Sequence, residues 1–218
     1  MPASHLVLVV VAALLIVLVP ALWLRLRLVV TLVHELGHAV VGMAVGRRFD
    51  GFVLRGDMSG RAVTTGRARG AGRIITTWAG YPAPAVLGAL LVWGAVRGWA
   101  APLVTAALVV LVVAASRVRS LLTAVVVGLA VAGTAALWWW RADTVQQLVL
   151  VALGVVVLLG GWRHLAAVTR DRSATSDPGV LAALTHVPRV AWTATFLLVH
   201  LAATWVVGLQ VAAWVQAR

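Results

Sequence analysis

Two histidines and the single glutamate of the chain lie within five residues, in the order His34-Glu35-Leu36-Gly37-His38. On a helix, residues four apart share a face, so both imidazoles can face one metal ion. Glu35 follows His34 directly and points beside that ion, which suits a base acting on a water molecule. Zinc accepts imidazole and carboxylate ligands and keeps an open position in catalytic sites. The spacing therefore predicts a zinc-dependent hydrolytic site.

The pentad lies within an apolar run, about 28–46, that is long enough to cross a bilayer. Of the 218 residues, 62% are hydrophobic, against roughly 45–50% in soluble domains. The sequence predicts one all-α membrane-embedded domain, residues 1–218, with seven transmembrane helices, or six if the short fourth one does not cross. The predicted spans are about 5–24, 28–46, 74–96, 100–115, 120–138, 145–162 and 189–215.

Two polar segments interrupt these spans. The first, 47–73, contains Gly56-Asp57-Met58-Ser59-Gly60, whose turn chemistry predicts a short β-hairpin after the metal-binding helix. The second, 163–188, precedes the last span and contains Ser176-Asp177. At the start of the third span, Tyr81-Pro82-Ala83-Pro84 predicts a break or kink in the helix.

All 18 basic residues are arginines, and their distribution predicts the orientation. In the predicted topology, 13 lie on the N-terminal side of the membrane and five on the other, so the N-terminal side should be cytoplasmic. Both polar segments, and with them the active site, then face the cytoplasm of a multi-pass cell-membrane protein. Arg25 and Arg27, between the first two spans, argue locally for the reverse. No basic run is interleaved with aromatic residues, so lipid headgroups are favoured as partners over nucleic acid.

A third protein ligand to the metal is expected, and it must be a histidine or a carboxylate because the chain has no cysteine. The candidates with carboxylates are Asp50, Asp57, Asp143, Asp171 and Asp177. The first two fit the hairpin, and the third is expected to be an interfacial charge beside Arg141. Asp171 is flanked by Arg170 and Arg172, which would pair with it. His200 in the last span could face the site, but such a histidine more often packs in the core.

Asp177 is the strongest candidate, although a second role fits it as well. Pro178 suits the first position of a helix, which would make Asp177 the N-cap of that helix. The residues alone leave ligand and cap open.

Several motifs occur in an ordered series, namely His34 to Ala39 in a span, the polar hairpin, Ala79-Gly80-Tyr81, and Ser176-Asp177 followed by Leu181-Ala182 and Thr185. Over about residues 28–200 this series resembles the site-2 protease family of intramembrane metalloproteases, and in particular its compact bacterial branch. The resemblance implies a Zn²⁺ cofactor, His34, His38 and Asp177 as ligands, and Glu35 as the base. Better-known members carry a Leu-Asp-Gly motif, whereas this chain has Ser176-Asp177-Pro178-Gly179 and no asparagine.

The predicted function is zinc-dependent hydrolysis of peptide bonds in membrane-protein substrates. The resemblance implies single-span regulators or remnant signal peptides as substrates. The hairpin could hold an unwound substrate by strand addition, or it could simply pack over the site. The alternative is a non-proteolytic membrane protein, either a metal carrier or an inactive relative. A carrier needs polar residues along several spans, whereas here they concentrate at one pentad and one distant aspartate.

Overall fold

The computed structural model describes residues 3–216, so both ends of the predicted domain, 1–2 and 217–218, lie outside the described residues. Within them the chain forms helices and one antiparallel two-stranded sheet. The elements are α1 (Ala3–Leu18), α2 (Pro20–Ala44), β1 (Arg48–Leu54), β2 (Gly60–Thr65), α3 (Ala71–Trp78), α4 (Pro82–Val96), α5 (Ala100–Ala115), α6 (Leu121–Trp140), α7 (Asp143–Val168), α8 (Asp177–Thr185) and α9 (Arg189–Gln216).

Four of the described helices, α2, α6, α7 and α9, are long and apolar enough to cross a membrane. A fifth span results if the bent pair α3 and α4 is counted as one. The predicted number of seven or six spans is therefore not confirmed. The difference arises from α1 and α5, which have 16 residues each and are shorter than a typical transmembrane helix.

The boundary between the first two helices lies earlier than predicted. α1 ends at Leu18 and α2 begins at Pro20, so Arg25 and Arg27 are helical residues of α2 rather than a connection. The cause is Pro20, because proline lacks an N–H and disfavours helical backbone in the residue before it. Val19 is accordingly extended, with φ −76° and ψ 116°.

The predicted break at Tyr81-Pro82 is confirmed. α3 ends at Trp78, α4 begins at Pro82, and the two helices are bent by 60° relative to each other. Pro82 occupies the first turn of α4, where its missing N–H costs nothing. The break brings the turn 79–81 against α2, since a Cβ on Gly37 would collide with Ala83 and lie 3.0 Å from the Ala79 carbonyl oxygen.

The predicted hairpin is present, and its outer edge is covered. A bulge interrupts the β1–β2 register between Phe49 and Gly51. Phe52 of β1 donates its N–H to the Arg117 carbonyl at 3.1 Å and accepts the Arg119 N–H at 3.2 Å. The α5–α6 connection thus pairs with β1 at a single residue, on the side of β1 that faces away from β2. On its own outer side, β2 pairs with no other strand among the described residues.

The hairpin lies beside α2, which both alternatives predicted for it require. The Thr31 hydroxyl of α2 bonds the Met58 carbonyl at the hairpin tip at 3.0 Å. Farther along both elements, Thr64 of β2 is packed close to Gly42. Irregular backbone at the depth of a membrane helix is tolerated where it is covered by protein or lines an aqueous cavity, and the hairpin contacts α2 and lines a cavity of this protein.

Close packing of α4 against α7 forms the centre of the bundle. Gly88 and Gly154 leave no room for a Cβ, because each would approach the other's backbone carbonyl to 2.6–2.7 Å. Pro84 lies near Gly161, and Leu91 lies near Gly154, so the two helices run antiparallel. Small residues that allow backbones to approach are typical of membrane helix pairs. This packing sets the end of α7 and the start of α4 near the same side of the bundle.

The second polar segment, predicted as 163–188, is partly helical. α7 continues to Val168, six residues beyond its predicted end, and α8 forms over Asp177–Thr185. Leu181 of α8 is fully buried and packs with Leu165 of α7 and Phe196 of α9. This apolar contact draws the segment into the bundle instead of leaving it as an exposed loop.

Candidate metal centre

His34 and His38 lie one turn apart on α2, and their Nε2 atoms are 3.1 Å from each other. The Nδ1 atom of His38 lies 2.7 Å from the Thr76 carbonyl oxygen of α3. Because a carbonyl only accepts hydrogen bonds, Nδ1 carries the proton, and Nε2 keeps its lone pair. His38 therefore has the tautomer and the fixed ring orientation of a metal-binding imidazole.

Asp177 comes from the far end of the sequence to the same point. Its Oδ2 atom lies 3.2 Å from the Nε2 atoms of both His34 and His38. Ser176, and not Asp177, occupies the N-cap position of α8, and no side-chain cap hydrogen bond forms there. Asp177 Oδ2 is buried and has no hydrogen-bond partner of acceptable geometry. Its carboxylate thus faces the histidines rather than the backbone of its own helix.

The three converging atoms fit a metal ion. Among the described residues, His34, His38 and Asp177 form the group of side chains that could hold one. Zinc with ligand bonds of about 2.0–2.1 Å and tetrahedral geometry holds neighbouring ligand atoms about 3.3 Å apart, close to the 3.1–3.2 Å found here. The buried Asp177 Oδ2 atom has no hydrogen-bond partner among the described residues, and a buried carboxylate oxygen is costly unless a cation or a donor lies beside it. Two imidazoles and one carboxylate are a ligand set that zinc accepts.

Arg189, at the start of α9, holds the loop that carries Asp177. Its guanidinium donates to the Arg172 carbonyl at 2.7 Å, to the Ser173 carbonyl, and to the Ser176 hydroxyl at 2.6 Å. Gly179 allows the loop to fold back on α8, since a Cβ there would lie 2.6 Å from the Ser173 carbonyl oxygen. The position of Asp177 is therefore set by α9 as well as by α8.

Glu35 faces the hairpin. It is 4% exposed, and its Oε2 atom accepts the Ala62 N–H of β2 at 2.5 Å. A Cβ on Gly60 would lie 2.5 Å from Oε1 of Glu35, so glycine is needed where β2 crosses this side chain. β2 thereby fixes the carboxylate beside the two histidines that flank it in sequence.

The backbone of Gly80 lies against both histidine rings. A Cβ at this position would overlap His38 Nε2 and lie 2.7 Å from His34 Cε1. The Tyr81 ring packs edge-on against His34, with centroids 4.7 Å apart, and stacks on Phe196 of α9 at 5.1 Å. The break between α3 and α4 therefore forms one wall of the site.

The three candidate ligands and Glu35 line one cavity of about 870 Å³. The hairpin, the break at Tyr81, the end of α7 and the 171–177 loop supply its other walls. Its volume lies within the range of about 300–1,000 Å³ that is usual for ligand sites. The site is thus accessible from a chamber, although its reactive groups are largely buried.

The other candidates from the sequence lie elsewhere or play other parts. Asp50 pairs with Arg48 at 2.8 Å, and Asp57 accepts the Ser59 N–H, as expected of hairpin residues. Asp171 lines the cavity, but no arginine among the described residues pairs with it, and the Ser173 N–H bonds it at 2.7 Å instead. His200 is fully buried, bonds the Phe196 carbonyl and lies outside the cavity, as a packed core histidine does.

Sequence reasoning missed the contacts that come from backbone. The Thr76 carbonyl and the Ala62 N–H act through main-chain atoms, and any side chain could accompany them. Gly80 carries the one available signal for close packing at the histidines, since a glycine at a helix break lets the backbone approach another group closely.

The family model described as Peptidase M50B-like matches residues 7–207. Searches of curated proteins and of solved structures found no match.

Proposed function

Because the chain belongs to the Peptidase M50B-like family, a family of site-2 proteases, we propose that it is a zinc-dependent endopeptidase that hydrolyses membrane-protein substrates within the membrane. One observation carries the proposal: the Nε2 atoms of His34 and His38 and the Oδ2 atom of Asp177 lie 3.1–3.2 Å from one another. The two histidines flank the buried Glu35 on α2, which is long enough to cross a membrane. In such a setting, ionisable side chains are costly unless they serve a site.

In the proposed mechanism His34, His38 and Asp177 hold the metal, and Glu35 acts as the general base. When bound, zinc would supply Lewis-acid polarisation of the scissile carbonyl and make water acidic near neutral pH. Glu35 takes the proton from the attacking water and then delivers it to the leaving amine. The Ala62 N–H holds one oxygen of this carboxylate, which leaves the other for proton transfer.

The outer edge of β2, which pairs with no other strand among the described residues, supports the proposed handling of substrate. Phe52 and Ala62 are opposite each other in the hairpin, and Phe52 turns its backbone groups outward to the 117–119 segment. The backbone groups of Ala62 point to the other side, towards Glu35. An unwound substrate added along β2 would place its backbone next to the base, as in strand addition.

The chain is a multi-pass membrane protein by its family and its apolar helices. The proposed location is the cell membrane, with the site towards the cytoplasm, as the arginine distribution indicates. The proposed substrates are single-span regulators or remnant signal peptides, and the lipid bilayer is the expected surrounding.

The test is Glu35→Gln. Glutamine keeps the hydrogen bond from Ala62 but cannot accept the proton from water. The rate of cleavage of a co-expressed single-span substrate should therefore fall by about 10²–10⁴-fold. Zinc content, measured on the purified protein, should stay near one per chain.

Three other results would count against the proposal. Retained cleavage in Glu35→Gln would exclude Glu35 as the base. Zinc binding by the unmodified protein without cleavage of any membrane substrate would favour an inactive relative, and zinc movement across vesicles would favour a carrier.

A further inference from the structure

The cavity of the proposed metal centre carries a surplus of arginine. Arg27 and Arg73 are half-buried on its wall, and Arg55 and Arg61 are exposed on it. No ion pair forms between any of these four guanidinium groups and a carboxylate among the described residues. The cavity therefore presents positive charge that the protein does not neutralise by direct pairing.

The acids on the cavity wall are already engaged. Glu35 accepts a backbone N–H from β2, and Asp177 faces the two histidines. Asp171 accepts the Ser173 N–H. With zinc in the site, the surplus would increase by the charge of the ion.

Arg27 has the most telling position of the four. It shares the cavity face of α2 with Thr31, His34 and His38, at spacings of four, three and four residues. At a rise of 1.5 Å per residue, it lies about 10 Å along the helix from His34. A peptide extended at about 3.3 Å per residue would reach Arg27 about three residues from the bond held at the metal.

A second polar group faces the cavity in the same neighbourhood. The Nε2 atom of His164, on α7, is buried and has no hydrogen-bond partner. His164 and Arg27 both line this cavity. An unpartnered buried nitrogen and an unpaired guanidinium on the wall of one cavity are the arrangement expected where an anionic ligand completes the hydrogen bonding.

The remaining arginines surround the site on two sides. Arg55 and Arg61 flank the hairpin turn that contacts Thr31, on the same side as Arg27. Arg73 lies in α3 near Thr76, on the opposite side of the histidines. An arginine within a span is costly unless it meets water or an anion.

We propose that this cavity selects substrates with acidic side chains near the scissile bond, and that Arg27 binds a substrate carboxylate about three residues from it. The inference rests on the proposed function and names the substrate class for the same site. Anionic lipid is the rival occupant, but the hairpin, α7 and the 171–177 loop line the cavity together with the proposed peptide-hydrolysing groups, which favours peptide.

The binding test uses zinc-loaded Glu35→Gln protein in phosphatidylcholine nanodiscs. The probes are fluorescein-labelled unstructured peptides that differ only by aspartate or asparagine at each position around a central Ala-Ala bond. The aspartate peptide should bind about tenfold more tightly at the favoured position. Adding Arg27→Gln should remove this difference, Arg27→Lys should retain part of it, and the control Arg97→Gln, which lies outside the cavity against Trp93, should leave it unchanged.

The outcomes separate this inference from the proposed function. Equal affinity for the two peptides, or an equal loss of preference in Arg97→Gln, would overturn the inference. In a further arm, vesicles containing phosphatidylglycerol replace the peptides. The inference would also be overturned if Arg27→Gln weakened binding to these vesicles and left the affinity for both peptides unchanged. In a parallel assay with unmodified Glu35, cleavage of both peptides at equal rates would overturn the inference alone. Charge-selective binding without cleavage would overturn the proposed function and support the inference.

Discussion

The metal-centre region and the outer helix pair use glycine in opposite ways. In the metal-centre region, defined as α2, α3, the turn 79–81, α8 and the hairpin, a Cβ on Gly37 or Gly60 would collide with a neighbouring group. In the outer pair, α5 and α6, Gly128 and Gly133 have nothing within 4 Å of an added Cβ. In the stretch that could cross a membrane, 11% of the residues of α6 are buried inside the protein, against 33% of those of α2.

The difference shows where this protein needs atomic precision. The outer pair presents apolar side chains outward, such as Leu129 with 70% exposure, and lipid accepts any apolar surface of suitable length. The metal-centre region must instead hold donor atoms within a few tenths of an ångström, and close backbone contacts do this. Single-atom changes should therefore have large effects in the first region and small effects in the second.

The largest effect is expected from removing the charged ligand. Asp177→Asn replaces an anionic oxygen with a neutral amide, so zinc affinity should fall by more than about 100-fold. Competition with a chromophoric chelator measures it. Asp143→Asn, at an exposed position in the first turn of α7, is the matched control and should bind zinc normally. Unchanged affinity in Asp177→Asn would remove Asp177 from the ligand set.

Gly80→Ala tests the comparison directly against Gly128→Ala. The new methyl at position 80 would overlap the His38 ring, so both imidazoles must move, and zinc affinity should fall by about 10–100-fold. The methyl at position 128 meets open space and should change neither affinity nor helix content. Circular dichroism checks that both variants keep the fold. Equal behaviour of the two variants would contradict the contrast between the regions.

A smaller effect is expected from Arg189→Gln. Loss of the guanidinium frees the loop before Asp177, so zinc affinity should weaken by about tenfold while the helices remain formed. Arg172→Gln is the control, because this exposed residue offers its carbonyl rather than its side chain to Arg189. Arg189→Lys should restore little, since an ammonium group lacks the fork that reaches several acceptors. Normal affinity in Arg189→Gln would show that α8 alone positions Asp177.

Local features of the fold could be predicted because their causes are local. Pro82 interrupts the predicted third span, as expected, because proline cannot donate a backbone hydrogen bond to the preceding turn of a helix. The turn at Gly56–Gly60 produced the hairpin. Pro20 is an equally local cause of the α1–α2 boundary. The prediction missed this boundary because the residues on both sides of Pro20 are apolar and indicated one span up to residue 24.

The hairpin's position could not be predicted from polarity. Segment 47–73 is polar, which indicates a location outside the membrane helices, yet the hairpin lies along α2. The reason is that the hairpin lines a cavity, and that Glu35 and Thr31 of α2 bond its polar backbone there. Hydropathy describes a segment's preference for lipid or water and contains no information on an internal chamber.

The sequence by itself determined the two histidines on one helix face, the glutamate between them and the apolar helices around them, because helix periodicity and hydropathy depend only on neighbouring residues. Only the tertiary structure decided that Asp177 faces the histidines rather than capping α8, and that the Ala62 N–H holds Glu35. Those contacts join residues far apart in the chain. They depend on how α8 packs on α7 and α9 and how β2 lies against α2, and such packing is a property of the assembled bundle.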